Sequence, residues 1–198
     1  MRVNEIFYSL QGEGYHAGRA AVFIRLSGCN LKCPFCDTDF SASEEMEVDE
    51  IVDEVVNYST DCRFVVLTGG EPTLQDCVLL IEALHKKGYK VAMETNGTNQ
   101  VPFNIDWVTI SPKFPFVDNQ TAAIKQKTCD ELKCVYDGTY NPNDILKHFT
   151  NAVHLYVQPC DTGFLKPNQE NIQKCVEFIK ENPIWKLSLQ TQKILKVR

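Results

Sequence analysis

Cys29, Cys33 and Cys36 place three thiols within eight residues. Thiolates are the soft ligands that iron–sulfur clusters select, and a cubane takes four of them. Three cysteines would leave one iron open to a ligand that is not protein. An open coordination position separates a reactive metal site from a structural one. The competing readings are a zinc knuckle, a Cys-x2-Cys redox pair, or plain buried thiols. A knuckle needs a second ligand pair at similar spacing, whereas Cys62, Cys77, Cys129, Cys134, Cys160 and Cys175 are scattered singly.

Further polar groups follow apolar runs. Thr68, Gly69, Gly70, Glu71 and Pro72 come after Phe64 to Leu67; glycines admit close backbone approach to a ligand, and a carboxylate just beyond can pair with an ammonium. Glu94 closes the run from Lys90 and precedes Thr95, Asn96 and Gly97. Ser111, Pro112 and Lys113 follow Trp107 to Ile110, and Gln158, Pro159, Cys160 and Asp161 follow Val153 to Val157. Each segment also reads as ordinary turn punctuation. Arg25 lies inside the apolar run Ala20 to Leu26, where a guanidinium is costly unless something pairs with it. Asp37 and Thr38 read equally as oxygen ligands or as an Asx turn.

The elements that would carry these groups alternate. Strands are expected at Ala20–Leu26, Phe64–Leu67, Lys90–Glu94, Trp107–Ile110, Leu132–Tyr136 and Val153–Val157. Before them, Glu5 to Leu10 reads as a short strand entering a glycine loop. Val48, Ile51, Val52, Val55 and Val56 form one helical stripe, and Cys77 to Lys87 is helical in pattern up to Gly88. Asp144–Phe149 and Asn171–Lys180 complete the helices. This is the pattern of an α/β fold with a mostly parallel sheet. About six core strands are too few for an eight-stranded barrel, so an incomplete, open (β/α) barrel is expected, as one domain over residues 1–198. Chemistry then gathers at the carboxyl ends of the strands.

Composition narrows the class. With 43% hydrophobic and 23% charged residues the chain is globular, and a net charge of -6 disfavours direct nucleic-acid binding. The charged opening, without an apolar core after it, implies no secretory signal and a reduced cytoplasmic setting, which suits an oxygen-sensitive cluster. His16, His85, His148 and His154 carry no catalytic expectation.

The cysteine spacing resembles the radical S-adenosylmethionine (SAM) superfamily. That resemblance implies a [4Fe-4S] cluster on Cys29, Cys33 and Cys36, with SAM on the open iron and cleavage to a 5′-deoxyadenosyl radical. The ordered set of Glu5 to Gly14, Arg25, Cys36 to Thr38, Ser111 to Lys113, Gln158 with Pro159, and Leu189 to Lys193 is similar to the 7-carboxy-7-deazaguanine synthase family over essentially the whole chain. The similarity implies a lyase of queuosine-type 7-deazapurine biosynthesis. It would contract 6-carboxy-5,6,7,8-tetrahydropterin to 7-carboxy-7-deazaguanine, release ammonia and regenerate SAM as a true cofactor. It also implies that Phe35, Cys36, Asp37, Gly70, Glu71, Glu94, Ser111, Pro112, Lys113, Gln158, Pro159, Cys160 and Asp161 surround SAM. Leu10, Gln11, Gly12, Glu13, Arg25, Thr68, Gln192 and Arg198 would surround the substrate, and Thr38 would hold Mg2+. A flavodoxin or ferredoxin electron donor and a homodimer belong to the same expectation. The chain departs from the family at Gln192, where relatives carry histidine; an amide hydrogen-bonds but does not exchange protons near neutrality. The other enzyme reading is a small glycyl-radical activating enzyme. From another class, a zinc-stabilised binding module shares only the cysteine pair.

Overall fold

The computed structural model describes residues 1–39, 43–58, 61–117 and 120–197. Its centre is one nine-stranded sheet in the order β3-β1-β2-β4-β5-β6-β7-β8-β9. β1 (Arg2–Leu10) runs antiparallel to β2 (Ala20–Leu26) and also carries the short β3 (Glu44–Glu45). From β2 onward every pairing is parallel, through β4 (Phe64–Gly69), β5 (Lys90–Thr95), β6 (Trp107–Ile110), β7 (Thr128–Tyr136), β8 (Asn151–Pro159) and β9 (Lys186–Leu187). The six long parallel strands curl into an open barrel that does not close.

Strand alternation sorts side chains onto two faces. On the outer face Val22, Ile24, Leu26, Val65, Leu67, Val91 and Met93 form one core with α1 (Val48–Tyr58) and α2 (Val78–Lys86). Those helices contribute Ile51, Val52, Val55, Leu80, Ile81 and Leu84, their apolar stripes. A second outer core joins Ile110, Leu132, Cys134 and Val157 to α3 (Pro142–Leu146) and α4 (Leu165–Glu181). On the inner face Phe7, Ala21, Phe23, Phe64, Val66 and Ala92 cluster towards the amino ends of the strands. Two residues further along the same strands come Arg25, Thr68 and Glu94, so the inner face turns polar towards the carboxyl ends.

Two segments close the barrel where the sheet does not. The loop after β1 folds under the strands' amino ends. There Tyr15 stacks on Trp107 with centroids 4.9 Å apart and lies 4.4 Å from His154, while His16 lies 4.8 Å from Phe64. Gly14 has φ +64, and a Cβ there would fall 1.9 Å from Glu131 Oε1. At the open edge α5 (Thr191–Leu195) docks by its first residue: the Thr191 amide and hydroxyl donate to Gly12 O at 3.1 and 2.8 Å.

Several bounds differ from expectation for local reasons. The helix expected at Asp144–Phe149 begins at Pro142, because Asn141 accepts from the Asn143 amide and proline suits the first turn. α4 starts six residues before Asn171; its first turns are solvated and carry no apolar stripe. β7 and β8 begin earlier than Leu132 and Val153 because their leading residues are polar. β3, β9 and α5 are too short to leave a periodic signal. No helix among the described residues is long and apolar enough to cross a membrane.

Candidate active site

Two adjoining cavities of about 230 and 380 Å³ open at the carboxyl ends of the strands. Glu13, Asp37, Thr38, Thr68, Gly69, Glu94 and Gln190 line both, so one wall is common. The smaller cavity has Cys29, Cys33 and Cys36 on one side. The same cavity is lined by Phe35, Gly70, Ser111, Lys113, Gln158, Pro159 and Asp161. The larger is lined by Leu10, Gln11, Gly12, Arg25 and Gln192, with Glu5, Phe7 and Phe23.

The cysteine loop rests on the exit of β4. The Gly70 amide donates to Leu26 O at 3.1 Å and the Glu71 amide to Gly28 O at 2.9 Å. A Cβ on Gly70 would stand 2.1 Å from Gly28 O and 2.9 Å from the Cys29 Cβ, so only glycine permits this approach. Within the loop the Leu31 amide donates to Cys29 Sγ at 3.4 Å and the Cys36 amide to Cys33 O at 3.2 Å. Among the described residues no three His, Cys, Asp or Glu side chains converge as on a single metal ion. Zinc draws its ligands onto one ion, whereas a cubane takes one thiolate per iron and keeps its cysteines apart. Three thiols on one loop along one cavity fit a cubane with one iron left open, and the sequence offers no second ligand pair at knuckle spacing. All nine cysteines are free thiols. Burial pushes Cys77, Cys129 and Cys175 up to about 12 and Cys160 to about 11, the state of inert structural thiols.

Three expected residues do not reach either cavity. Glu71 is 1% exposed. Its Oε1 accepts from the Thr73 amide at 3.1 Å and from the Thr73 and Thr95 hydroxyls at 2.6 Å each, and its Oε2 from the Asn96 amide at 2.7 Å. These four bonds make the carboxylate a brace for the turn beneath the loop. The Pro112 and Cys160 side chains are buried away from the opening, and the Cys160 carbonyl accepts from Asn171 at 2.9 Å. Arg198 lies outside the described residues.

Arg25 answers its cost by pairing across the sheet, Nε to Glu5 Oε1 at 2.8 Å, with the two residues opposite in register. Glu94 is more engaged than expected: its Oε1 accepts from Gln11 at 3.2 Å and its Oε2 from Lys133 Nζ at 3.0 Å. Lys133 also donates to Glu13 Oε2 at 2.7 Å. Glu13 Oε1 takes Gln190 and Gln192 at 3.0 and 3.2 Å. Burial alone would raise the Glu13 carboxyl; the Lys133 ammonium and these amides override it and hold it at about 2. Lys133, Glu5 and Gln190 were missed from sequence. The signal for Lys133 was available: a lysine between Leu132 and Cys134 in an apolar strand poses the question that Arg25 posed. At the rim Lys193 bridges Asp37 and Asp161 at 2.5 and 2.6 Å, and the Lys193 bond leads the effects that hold Asp161 at about 2. Of the histidines, His85 pairs with Asp106 at 2.7 Å on the outer surface and none lines the cavities.

Residues 23–113 match the Radical SAM superfamily model. The chain is 46% identical over 198 residues to the 7-carboxy-7-deazaguanine synthase of Bacteroides thetaiotaomicron, covering 100% of this chain and 98% of that protein. The chain belongs to the 7-carboxy-7-deazaguanine synthase family. The enzyme of the same name from Bradyrhizobium diazoefficiens is 36% identical, with 99% and 98% covered. The crystal structure of QueE from Escherichia coli superposes with a TM-score of 0.77 at 26% identity, over 95% of this chain and 92% of that one. A 7-carboxy-7-deazaguanine synthase of the radical SAM superfamily uses a [4Fe-4S] cluster and SAM, and the three-cysteine wall of the smaller cavity is the donor set that such a cluster requires.

Proposed function

We infer that the protein converts 6-carboxy-5,6,7,8-tetrahydropterin to 7-carboxy-7-deazaguanine and ammonia, in the biosynthesis of queuosine-type 7-deazapurines. The observation that carries this reading is the common wall: a cavity bearing the three thiols joins a second cavity bearing Arg25 and the glycine loop after β1. A glycyl-radical activating enzyme has no use for the second cavity, and the relatives do not support it.

Cys29, Cys33 and Cys36 would each hold one iron. When bound, the cluster and SAM supply removal of a hydrogen atom from the substrate. Phe35, Gly70, Ser111, Lys113, Gln158 and Asp161 would position SAM from the smaller cavity. Arg25 would receive the substrate carboxylate, since a guanidinium fork matches a carboxylate. Its Nε bond to Glu5 fixes the plane of that fork. Gln11, Gly12 and Thr68 would hold the ring system. Thr38 lines both cavities and offers one oxygen to Mg2+, whose remaining ligands would be water and substrate. The unbroken nine-stranded sheet supports one domain over residues 1–198. A flavodoxin or ferredoxin as electron donor, a homodimer and a cytoplasmic location complete the reading.

The test is anaerobic turnover of reconstituted, reduced protein with SAM, Mg2+ and the tetrahydropterin, followed by mass spectrometry. The expected product is lighter than the substrate by one ammonia, without stoichiometric consumption of SAM. Cleavage of SAM with the pterin left intact would retain the superfamily and overturn the substrate.

A further inference from the structure

We propose that Lys133 is a positioning residue for this reaction: its ammonium orients Glu13 and Glu94 as a pair of carboxylates on the wall between SAM and substrate. The proposal rests on the pterin reading above and assigns a task to a residue outside the cysteine, glycine and Arg25 motifs.

The Lys133 side chain is 5% exposed, on the inner face of β7, and ties together segments remote in sequence. Glu13 comes from the loop after β1 and Glu94 from the end of β5. Each carboxylate gives one oxygen to Lys133 and the other to amides: Gln190 and Gln192 for Glu13, Gln11 for Glu94. Both carboxylates line both cavities. A buried ion pair is weak evidence for stability, because apolar residues of similar volume often serve as well. Its presence in a ligand-binding wall therefore needs another reason, and orientation of acceptors is one. Two carboxylates against one ammonium also leave negative charge facing the cavity, suited to the N–H donors of an aminopyrimidinone ring.

Four charged groups face Lys133: Glu13, Glu94, Glu131 two residues earlier on the same strand, and Lys113 from the exit of β6. Glu131 has its Oε2 on the Tyr15 amide at 2.9 Å, while its buried Oε1 has no hydrogen-bond partner among the described residues. Without the ammonium, three carboxyls would crowd one low-dielectric pocket and one of them would take up a proton. A protonated carboxyl presents a donor where the ligand needs an acceptor.

The experiment compares Lys133→Met, Lys133→Arg and the double variant Lys133→Met/Glu13→Gln with the unaltered reconstituted enzyme. Anaerobic equilibrium dialysis of 6-carboxy-5,6,7,8-tetrahydropterin is run from pH 6 to 8, beside KM, kcat, melting temperature and cluster absorbance. For Lys133→Met we expect pterin affinity and KM to worsen on the order of 100-fold at pH 8. The loss should be larger still at pH 6, where one carboxyl holds its proton more fully, with cluster absorbance retained. Lys133→Arg should recover most of the binding. The double variant should recover melting temperature and not binding, which separates orientation from folding. Pterin affinity of Lys133→Met equal to that of the unaltered protein at every pH would overturn the proposal. So would parallel loss and recovery of binding and melting temperature, which would make the role structural. Failure of the unaltered protein to bind the pterin would overturn the functional reading with it.

Discussion

The cysteine loop and the charged wall face one another across the smaller cavity and are built in opposite ways. The loop from Ser27 to Asp39 contains no helix or strand, and a few backbone bonds and the glycine turn of β4 support it. The wall consists of side chains from β1–β2, β5, β7 and the C-terminal segment, joined by five hydrogen bonds with the Lys133 ammonium at the centre. The difference follows from what each must do. A cluster brings its own bonds and needs only thiolates at the right spacing, so metal binding and local ordering are coupled. A substrate that is oriented without being covalently held needs its acceptors fixed beforehand. Spacing is therefore the informative quantity in one region and tertiary geometry in the other.

The largest effect should come from breaking the loop's ligand set. Cys33→Ser should remove the visible absorption of the cluster and lower turnover by more than about 1000-fold, because the site needs all three thiolates. In the cluster-free proteins the same change should cost below about 1 kcal/mol, since Cys33 lies half-buried in a segment with little internal packing. A cluster-free variant destabilised by several kcal/mol would show that the thiol also builds the loop, and the contrast with the wall would fail. Next is the brace below the loop. Glu71→Ala strands the Thr73, Thr95 and Asn96 donors at a site 1% exposed, and should cost roughly 3 kcal/mol or more in urea unfolding of the cluster-free protein. A cost confined to SAM affinity would return Glu71 to the ligand.

The same contrast decides what the sequence could reveal. The outer faces of β2, β4 and β5 and the stripes of α1 and α2 were legible because burial imposes a period of two or 3.6 residues on each. The cysteine spacing and the glycine pair were legible because each is local. Glu71 shows the limit of local reading: sequence shows a carboxylate after two glycines but not that Thr73, Thr95 and Asn96 engage both oxygens. Lys133 announces its cost within an apolar strand, but its partners lie 120 and 39 residues away and only the fold identifies them. α5 and its Lys193 bridge depend on contacts that five residues of pattern cannot announce.

A smaller, pH-dependent effect probes the wall from beneath. Burial raises the Glu131 carboxyl to about 7 from its model-peptide value of 4.5, with the Lys133 charge partly offsetting the rise. Below 4.5 the group is protonated in both folded and unfolded chains and contributes nothing to the pH dependence. Between 4.5 and 7 the unfolded chain releases this proton and the folded one retains it, so folded stability falls as pH rises. Above 7 the penalty is constant, on the order of 3 kcal/mol. Glu131→Gln should therefore gain stability relative to the unaltered protein as pH rises from 5 to 8, read from paired urea titrations. A difference independent of pH would mean that the wall carries Glu131 as an ordinary ionised carboxylate.

The smallest effect should come from the clasp that joins the two regions. Lys193 donates from α5 to Asp37, next to Cys36, and to Asp161 at the exit of β8. Its side chain is 39% exposed, so water screens both pairs, and each contributes less than about 1 kcal/mol. The Asp161 carboxyl, held at about 2, contributes above its ordinary value near 3.8 and loses that contribution as pH falls towards 2; near neutral pH the clasp is fully formed. Lys193→Met should accordingly leave the melting temperature nearly unchanged while hastening iron loss to a chelator, because the loop's tie to the C-terminal helix is cut. A large fall in melting temperature would mean that the protein, without the cluster, already orders the loop. Unchanged iron release would mean that the ligands and the glycine turn hold the cluster without help from α5.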